Sequence, residues 1–304
     1  MTALRGTVVA AALLIAVPAA TGCGLGPGEQ VGSVELTVTR DFGAVPMVED
    51  APEANESDTV MRVLEGSAEI ETRYGGAYVS AIDGVAEGSR GGRPHDWFYF
   101  VDGVEAPIGA AERSLRGGER IWWDYRDWSA SNRVAAVVGS WPAPFAAGYE
   151  GRSHPVAVVC EGGGEACGEV REALSEEGVA VADGVPKGAI RVLVGPWARL
   201  REDPAAALLE AGPGESGVYA EFAAAAGGYE LRGLDPAGAV ARRFGPEAGL
   251  VAATRWREAP PTWLVTGAGG PGVRAAAGLL GVERLRDHYA VATEGGREES
   301  LPLR

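Results

Sequence analysis

Arg93-Pro-His-Asp-Trp-Phe-Tyr-Phe-Val-Asp-Gly103 and Gly117-Gly-Glu-Arg-Ile-Trp-Trp-Asp-Tyr-Arg-Asp-Trp128 are the two stretches whose reading decides the fold. Together they hold Trp97, Trp122, Trp123 and Trp128, half of the chain's eight tryptophans. Residues 97–101 and 121–125 read as aromatic strands. Asp102-Gly103 is a pair suited to a tight turn after the first strand, and Gly117-Gly118 marks the turn before the second. A strand sends alternate side chains to opposite faces. Trp97, Tyr99 and Val101 therefore share one face, with Phe98 and Phe100 on the other. In the second strand Ile121, Trp123 and Tyr125 share a face, and Trp122 and Asp124 lie opposite. Both faces carry large aromatic rings. One can fill a core, and the other needs a helix, a second domain or a ligand to cover it.

Outward from this pair, residues 34–38 alternate cleanly and predict a first strand. Residues 43–56 carry Pro46 and Pro52 and read as a polar loop. Ser57 or Asp58 is placed to cap a helix with Val60, Val63 and Leu64 on one face. Residues 73–82 predict a hairpin turning at Gly75-Gly76. Strand, helix, then several strands is an α+β pattern.

The pieces at 75–84, 97–103 and 117–125, taken together, resemble the transcobalamin-like C-terminal β-domain family. That resemblance covers residues 31–128 and implies a β-grasp module. In the cobalamin carriers of vertebrates the similar domain caps the corrin ring, so the resemblance suggests cobalamin or another corrinoid as ligand. The helical barrel that holds the other side of the corrin there has no counterpart in this sequence. The family also occurs in bacterial surface proteins. Tyr99, Trp123 and Tyr125 are assigned to the core. Trp97, Trp122 and Trp128 are expected on the ligand face, with His95 and Asp124 as polar partners. For His95 two readings stand: a solvated loop histidine, or an axial ligand to a metal or corrinoid.

At the start of the chain Arg5 gives a positive n-region, residues 8–17 form an apolar run, and Ala19-Ala20-Thr21-Gly22 supplies small residues for cleavage. The run is too short for a membrane span, which takes about 20 residues. Ala20-Thr21-Gly22-Cys23 resembles a bacterial lipobox, with alanine in place of the usual leucine. The expectation is a lipoprotein signal peptide over 1–22, a lipid anchor on Cys23 and a Gly-rich tether over 23–32. A plain secretory signal with an incidental cysteine is the competing reading. Cys160 and Cys167 remain. In an oxidising compartment an even remainder favours a disulfide; a metal site or redox pair is the alternative, although the spacing is not CxxC.

Residues 129–150 hold Pro142 and Pro144 among apolar residues and read as a stiff connector. The periodicity then changes. Strands are expected at 156–159, 179–182, 190–194, 217–222, 229–234, 239–244, 250–254, 262–265 and 289–293. Helices are expected at 165–177, from Asp203-Pro204 to Gly212, and at 271–280. This order predicts an α/β domain over 151–304 following the β-grasp-like one. Gly267-Ala-Gly-Gly-Pro-Gly272 fits G-x-G-x-x-G between a strand and a helix. It lies near the end of the chain, and Glu294 comes later than the ribose-binding acid should. A Gly-rich turn is the simpler reading.

The 304 residues carry 27 Lys+Arg against 42 Asp+Glu, a net charge of −15. An acidic chain of this kind argues against nucleic acid as a partner. No catalytic constellation is recognisable: G-x-S-x-G and HExxH are absent, and His95, His154 and His288 are far apart in sequence. The functional expectation is a lipid-anchored extracytoplasmic protein that binds a small ligand for a membrane transporter. A surface lipoprotein contacting a protein or cell-wall glycan is the alternative.

Overall fold

The two aromatic stretches pair with each other in a computed structural model that describes residues 28–304. Strand Arg93–Val101 runs antiparallel to strand Arg120–Asp127, with Trp97 opposite Tyr125, Tyr99 opposite Trp123 and Phe100 opposite Trp122. Asp102 (φ 53°) and Gly103 (φ 75°) are both left-handed, as a tight hairpin turn requires. Strand Glu35–Arg40 lies parallel to Arg120–Asp127 on its other side, and Val45–Asp50 pairs antiparallel beyond that. Val104–Glu105 and Gly88–Arg90 complete a six-stranded sheet.

Helix Val60–Ser67 packs on one face of this sheet. Its N-cap is Thr59, just past the expected Ser57 or Asp58; the Thr59 hydroxyl accepts from the Arg62 N–H at 3.3 Å. Asp58 instead accepts from the backbone of Asn55 at 2.8 Å, closing the preceding turn. Val60, Met61, Val63 and Leu64 are buried with Leu36, Val38, Tyr99, Ile121 and Trp123.

In the second half of the chain Val156–Cys160, Ile190–Pro196 and Thr262–Gly267 are parallel. Gly249–Thr254, Ala290–Glu294 and Arg297–Leu301 continue the same sheet antiparallel. Helices Ala166–Glu176 and Gly270–Ala277 cover one face through Val170, Leu174, Val273 and Ala276. The other face, with Leu193, Leu250 and Leu264, joins a cluster that contains Tyr219, Phe222 and, from the first sheet, Phe100 and Trp122. An antiparallel meander of Ala220–Ala225, Gly228–Leu234 and Val240–Arg243 flanks it. The connector is packed: Val134, Val137, Val138, Trp141, Phe145 and Tyr149 are all buried.

This architecture corrects the expected fold class. An α+β β-grasp followed by an α/β domain requires helices as a major layer. Of the described residues 39% are strand and 17% helix, spread over five sheets. The longest helix among the described residues has 11 residues. Half of the second large sheet is built from antiparallel neighbours, which need no helical crossover. The chain is predominantly β. Among the described residues no helix is long and apolar enough to cross a membrane.

The Gly267–Gly272 run has a packing role. A Cβ on Gly272 would lie 2.0 Å from the Ala248 carbonyl oxygen, and one on Gly249 would lie 2.2 Å from that of Gly272. Glycine here lets helix Gly270–Ala277 settle against the strand backbone. The disulfide Cys160–Cys167 is formed, with a Cα–Cα distance of 6.1 Å.

Candidate functional site

The even-numbered face of Arg120–Asp127 is where the two halves of the chain meet. Asp124 is fully buried there and accepts four hydrogen bonds: from Thr39 Oγ1 (2.6 Å), the N–H groups of Phe42 (3.0 Å) and Gly43 (3.1 Å), and the Tyr289 hydroxyl (3.0 Å). Trp122 Nε1 donates to the same Thr39 hydroxyl at 2.8 Å. Asp41, Phe42 and Gly43 all have positive φ, so this loop turns its N–H groups onto the carboxylate. Burial pushes the Asp124 carboxyl up to about 6; the hydrogen bonds and the charge of Arg126 oppose it. Burial and the Asp124 charge hold the Tyr289 phenol well above its ordinary value, so it donates.

In front of this buried knot lies an open cleft of about 420 Å³. Phe42 forms part of its wall, with Asp41, Arg90, Arg93, His95 and Asp127 from the first half and Pro236 and Arg304 from the second. Strand pairing accounts for Arg90, Arg93, His95 and Asp127, while Asp41 and Phe42 come from the left-handed turn after strand Glu35–Arg40. His95 sits opposite both Asp127 and Gly88, and Arg90 pairs with Arg93 across the turn at Gly91-Gly92. The arginines are partly engaged. Arg90 Nη1 is 3.1 Å from Asp41 Oδ1, Arg93 Nη1 is 3.4 Å from Asp127 Oδ2, and Arg304 donates to the Asp41 carbonyl. Each guanidinium has five N–H donors, so each keeps donors for a ligand. Three cations face two carboxylates in a chain whose net charge is −15. His95 Nδ1 lies 3.1 Å from the Arg93 carbonyl, and its ring stacks on Tyr125 at 5.4 Å. A carbonyl only accepts, so Nδ1 carries the proton in that bond.

The predicted site residues are placed as follows. His95 lines the cleft, from within a strand rather than from the loop before it. Asp124 and Trp122 lie behind the cleft wall, both with 0% exposure, and Trp122 has no face free for a planar ligand. Phe100 and Tyr289 pack against it at 5.5 and 5.3 Å. Trp97 is buried on the opposite face beside Tyr125, with its Nε1 donating to the Val85 carbonyl at 2.9 Å. Trp97 and Trp122 therefore cannot share one ligand face. Trp128 is 38% exposed, next to Asp127, and its backbone N–H donates to the Pro94 carbonyl. Cys23 lies outside the described residues.

Asp41, Arg90, Arg93, Asp127 and Arg304 were not anticipated. The Arg90-Gly-Gly-Arg93 loop had a legible signal, two cations around two glycines in an acidic chain; Asp41 and Arg304 had none. Among the described residues no group of three or more His, Cys, Asp and Glu side chains stands close enough to hold a metal ion.

Residues 57–127 match the family described as "Domain of unknown function (DUF4430)". The three pieces that carry the transcobalamin-like resemblance, 75–84, 97–103 and 117–125, fall inside this match. A solved structure from Ruminococcus gnavus ATCC 29149, described as that of a "putative metal binding protein", is similar at 14% identity and a TM-score of 0.25, covering 32% of this chain and 97% of that one. No curated protein matches the chain.

Proposed function

We propose that the chain is a lipid-anchored extracytoplasmic binding protein whose cleft between the two halves captures an anionic group of a small molecule and presents it to a membrane transporter. One observation carries the reading: Arg90, Arg93 and Arg304 converge with His95 on a single cleft in a strongly acidic protein. Clefts between packed units are favoured ligand sites. The lipobox-like Ala20-Thr21-Gly22-Cys23 supports the anchor, and Cys23→Ala is expected to lose palmitate labelling in a bacterial host.

The corrinoid suggested by the sequence enters here in a narrower form. The cleft is open to solvent, so its arginines can hold one anionic group of a larger molecule. Cobalamin carries one phosphodiester anion, and cobinamide lacks it. Calorimetric titration with cobalamin, cobinamide and inorganic phosphate separates the cases. Cobalamin binding with cobinamide silent supports a corrinoid held by its phosphodiester, and phosphate binding alone supports a small anion. In either case Arg93→Ala is expected to weaken binding about tenfold, the worth of a hydrogen bond to a charged group, and added salt to weaken it further. Silence of all three ligands, or an Arg93→Ala variant that binds as well as the parent, overturns the proposal.

The glycan-contact reading rests on a second cleft of about 390 Å³, where Trp256 is 39% exposed among Asn132, Arg133, Glu215 and Arg257. Loss of cell-wall pull-down in Trp256→Ala, with Arg93→Ala unaffected, supports it.

A further inference from the structure

The two sulfurs of the Cys160–Cys167 bridge stand in unlike surroundings. Cys167 is 6% exposed, in the first turn of helix Ala166–Glu176. Cys160 is exposed, at the end of strand Val156–Cys160. The chain between them carries Gly162, Gly163 and Gly164. A Cβ on Gly163 would lie 3.0 Å from the Cys167 sulfur, so the loop rests against the bridge with no side chain of its own at that point.

Arg171 sets the chemistry of this bridge. It follows Cys167 by one helical turn, so the two share a face of the helix. Val156–Cys160 is an edge strand of its sheet, and its free edge leaves a carbonyl open to a side chain. Arg171 Nη2 donates to the Val158 carbonyl at 3.3 Å, and Nη1 donates at 3.3 Å both to the Cys167 carbonyl and to Cys160 Sγ. Two backbone oxygens thus hold the guanidinium on the Cys160 sulfur. Among the described residues the acceptors of Arg171 are these three, and none is a carboxylate. A disulfide sulfur is a weak, neutral acceptor; a thiolate is a charged one and gains more from the same donor. Arg171 therefore favours the reduced form of Cys160, as the start of a helix does for Cys167. Glu161 and Glu165 oppose both, but they are exposed and screened by water.

We propose that Cys160–Cys167 is a thiol-exchange site, with a low-molecular-weight thiol as its substrate and Cys160 Sγ as the attacked atom. The thiolate of the small molecule bonds to Cys160 Sγ as the bond to Cys167 breaks; Cys167 leaves with the electron pair and takes up a proton. A second small thiolate then attacks the small-molecule sulfur of the mixed disulfide. Cys160 leaves as a thiolate beside Arg171, and the two small thiols depart as their own disulfide. The protein bridge gains two electrons and the thiols lose two. Cys167 can instead attack Cys160 and expel the first thiol, which makes the modification reversible. The site is separate from both clefts and does not depend on either binding anything.

The test uses the folded full chain carrying Cys23→Ala, so that these two are its only cysteines. The protein is equilibrated in mixtures of reduced and oxidised glutathione, quenched in acid, alkylated and mapped by mass spectrometry. The bridge is expected to pass from oxidised to reduced across these mixtures, with glutathione trapped on Cys160 at intermediate ratios. Arg171→Gln, an exposed substitution that keeps side-chain N–H donors and removes the charge, is expected to move the equilibrium about fivefold toward the disulfide, the upper worth of an exposed ion pair. A bridge that stays oxidised throughout is a structural tie only and overturns the proposal. Glutathione found on Cys167 overturns the choice of attacked sulfur, and an Arg171→Gln equilibrium equal to the parent's overturns the role of Arg171.

Discussion

Asp102, in the turn that follows strand Arg93–Val101, and Asp124, within strand Arg120–Asp127, meet burial in different ways. Asp124 is ringed by four donors and holds the left-handed loop 41–43 against the second half. Gly43 completes that clamp: at φ +84° a Cβ would lie 1.7 Å from the Asp287 carbonyl oxygen. Asp102 is 2% exposed and accepts one backbone bond, from Arg120 at 3.0 Å. Burial pushes its carboxyl up to about 7, with that hydrogen bond opposing. The folded state therefore binds this proton more tightly than the unfolded chain. Its contribution is fully present below about pH 4, the unfolded value, and is lost as pH rises through about 7. Asparagine keeps the acceptor, tolerates the φ of 53° at this turn and carries no charge. Asp102→Asn is expected to exceed the parent's stability at pH 8 by roughly 1–3 kcal/mol and to converge with it near pH 4. Urea unfolding across that range checks the sign. Parallel curves for the two proteins would show that Asp102 pays no desolvation cost.

Which strands could be read in advance follows from where they sit. Residues 97–101 and 121–125 read as nearly unbroken runs of large apolar side chains because both faces of those central strands are covered. Val45–Asp50 was read as a loop because Pro46, Glu49 and Asp50 interrupt any apolar pattern. Arg297–Leu301, with three charges in five residues, gave no strand signal. Both are edge strands of their sheets, where proline and charge are tolerated and even protective. The site divides along a similar line. His95 and Asp124 stood out as polar residues among aromatics, while Asp41 and Arg304 reach the cleft only through tertiary folding. Alternation already separated Trp97 from Trp122; grouping them as one ligand face went against it. The disulfide could be read from cysteine count alone. It ties the end of Val156–Cys160 to the first turn of helix Ala166–Glu176. Reducing this eight-residue loop is expected to cost about 2.5 kcal/mol by loop entropy. Unfolding midpoints with and without reductant measure it; an unchanged midpoint would show that the turn is already held by helix and strand.

Across the whole molecule, the first sheet has no face of its own to spare. Its odd-numbered side is closed by helix Val60–Ser67, and its even-numbered side is closed by the other half of the chain. Phe42 contacts Tyr219 and Tyr289 edge-on at 5.0 and 5.1 Å, and Trp122 meets Tyr289 at 5.3 Å. Arg120 and Asp287 form an ion pair at 2.7 Å beside them, largely out of water. Separating the halves would expose Phe100 and Trp122 and strip Asp124 of its Tyr289 partner, so neither half can lose its structure without unsettling the other. The described chain is therefore expected to unfold in one transition, with calorimetric and van't Hoff enthalpies equal. Trp122→Ala removes the ring at the centre of the junction and is expected to cost roughly 3–5 kcal/mol. It should lower the midpoint of that one transition without dividing it. Two resolved transitions in the parent protein would mean that the halves fold independently. A Trp122→Ala variant that splits an originally single transition would locate their coupling in this one ring, and coupling carried by Asp124, Gly43 and the Arg120–Asp287 pair as well predicts that it does not.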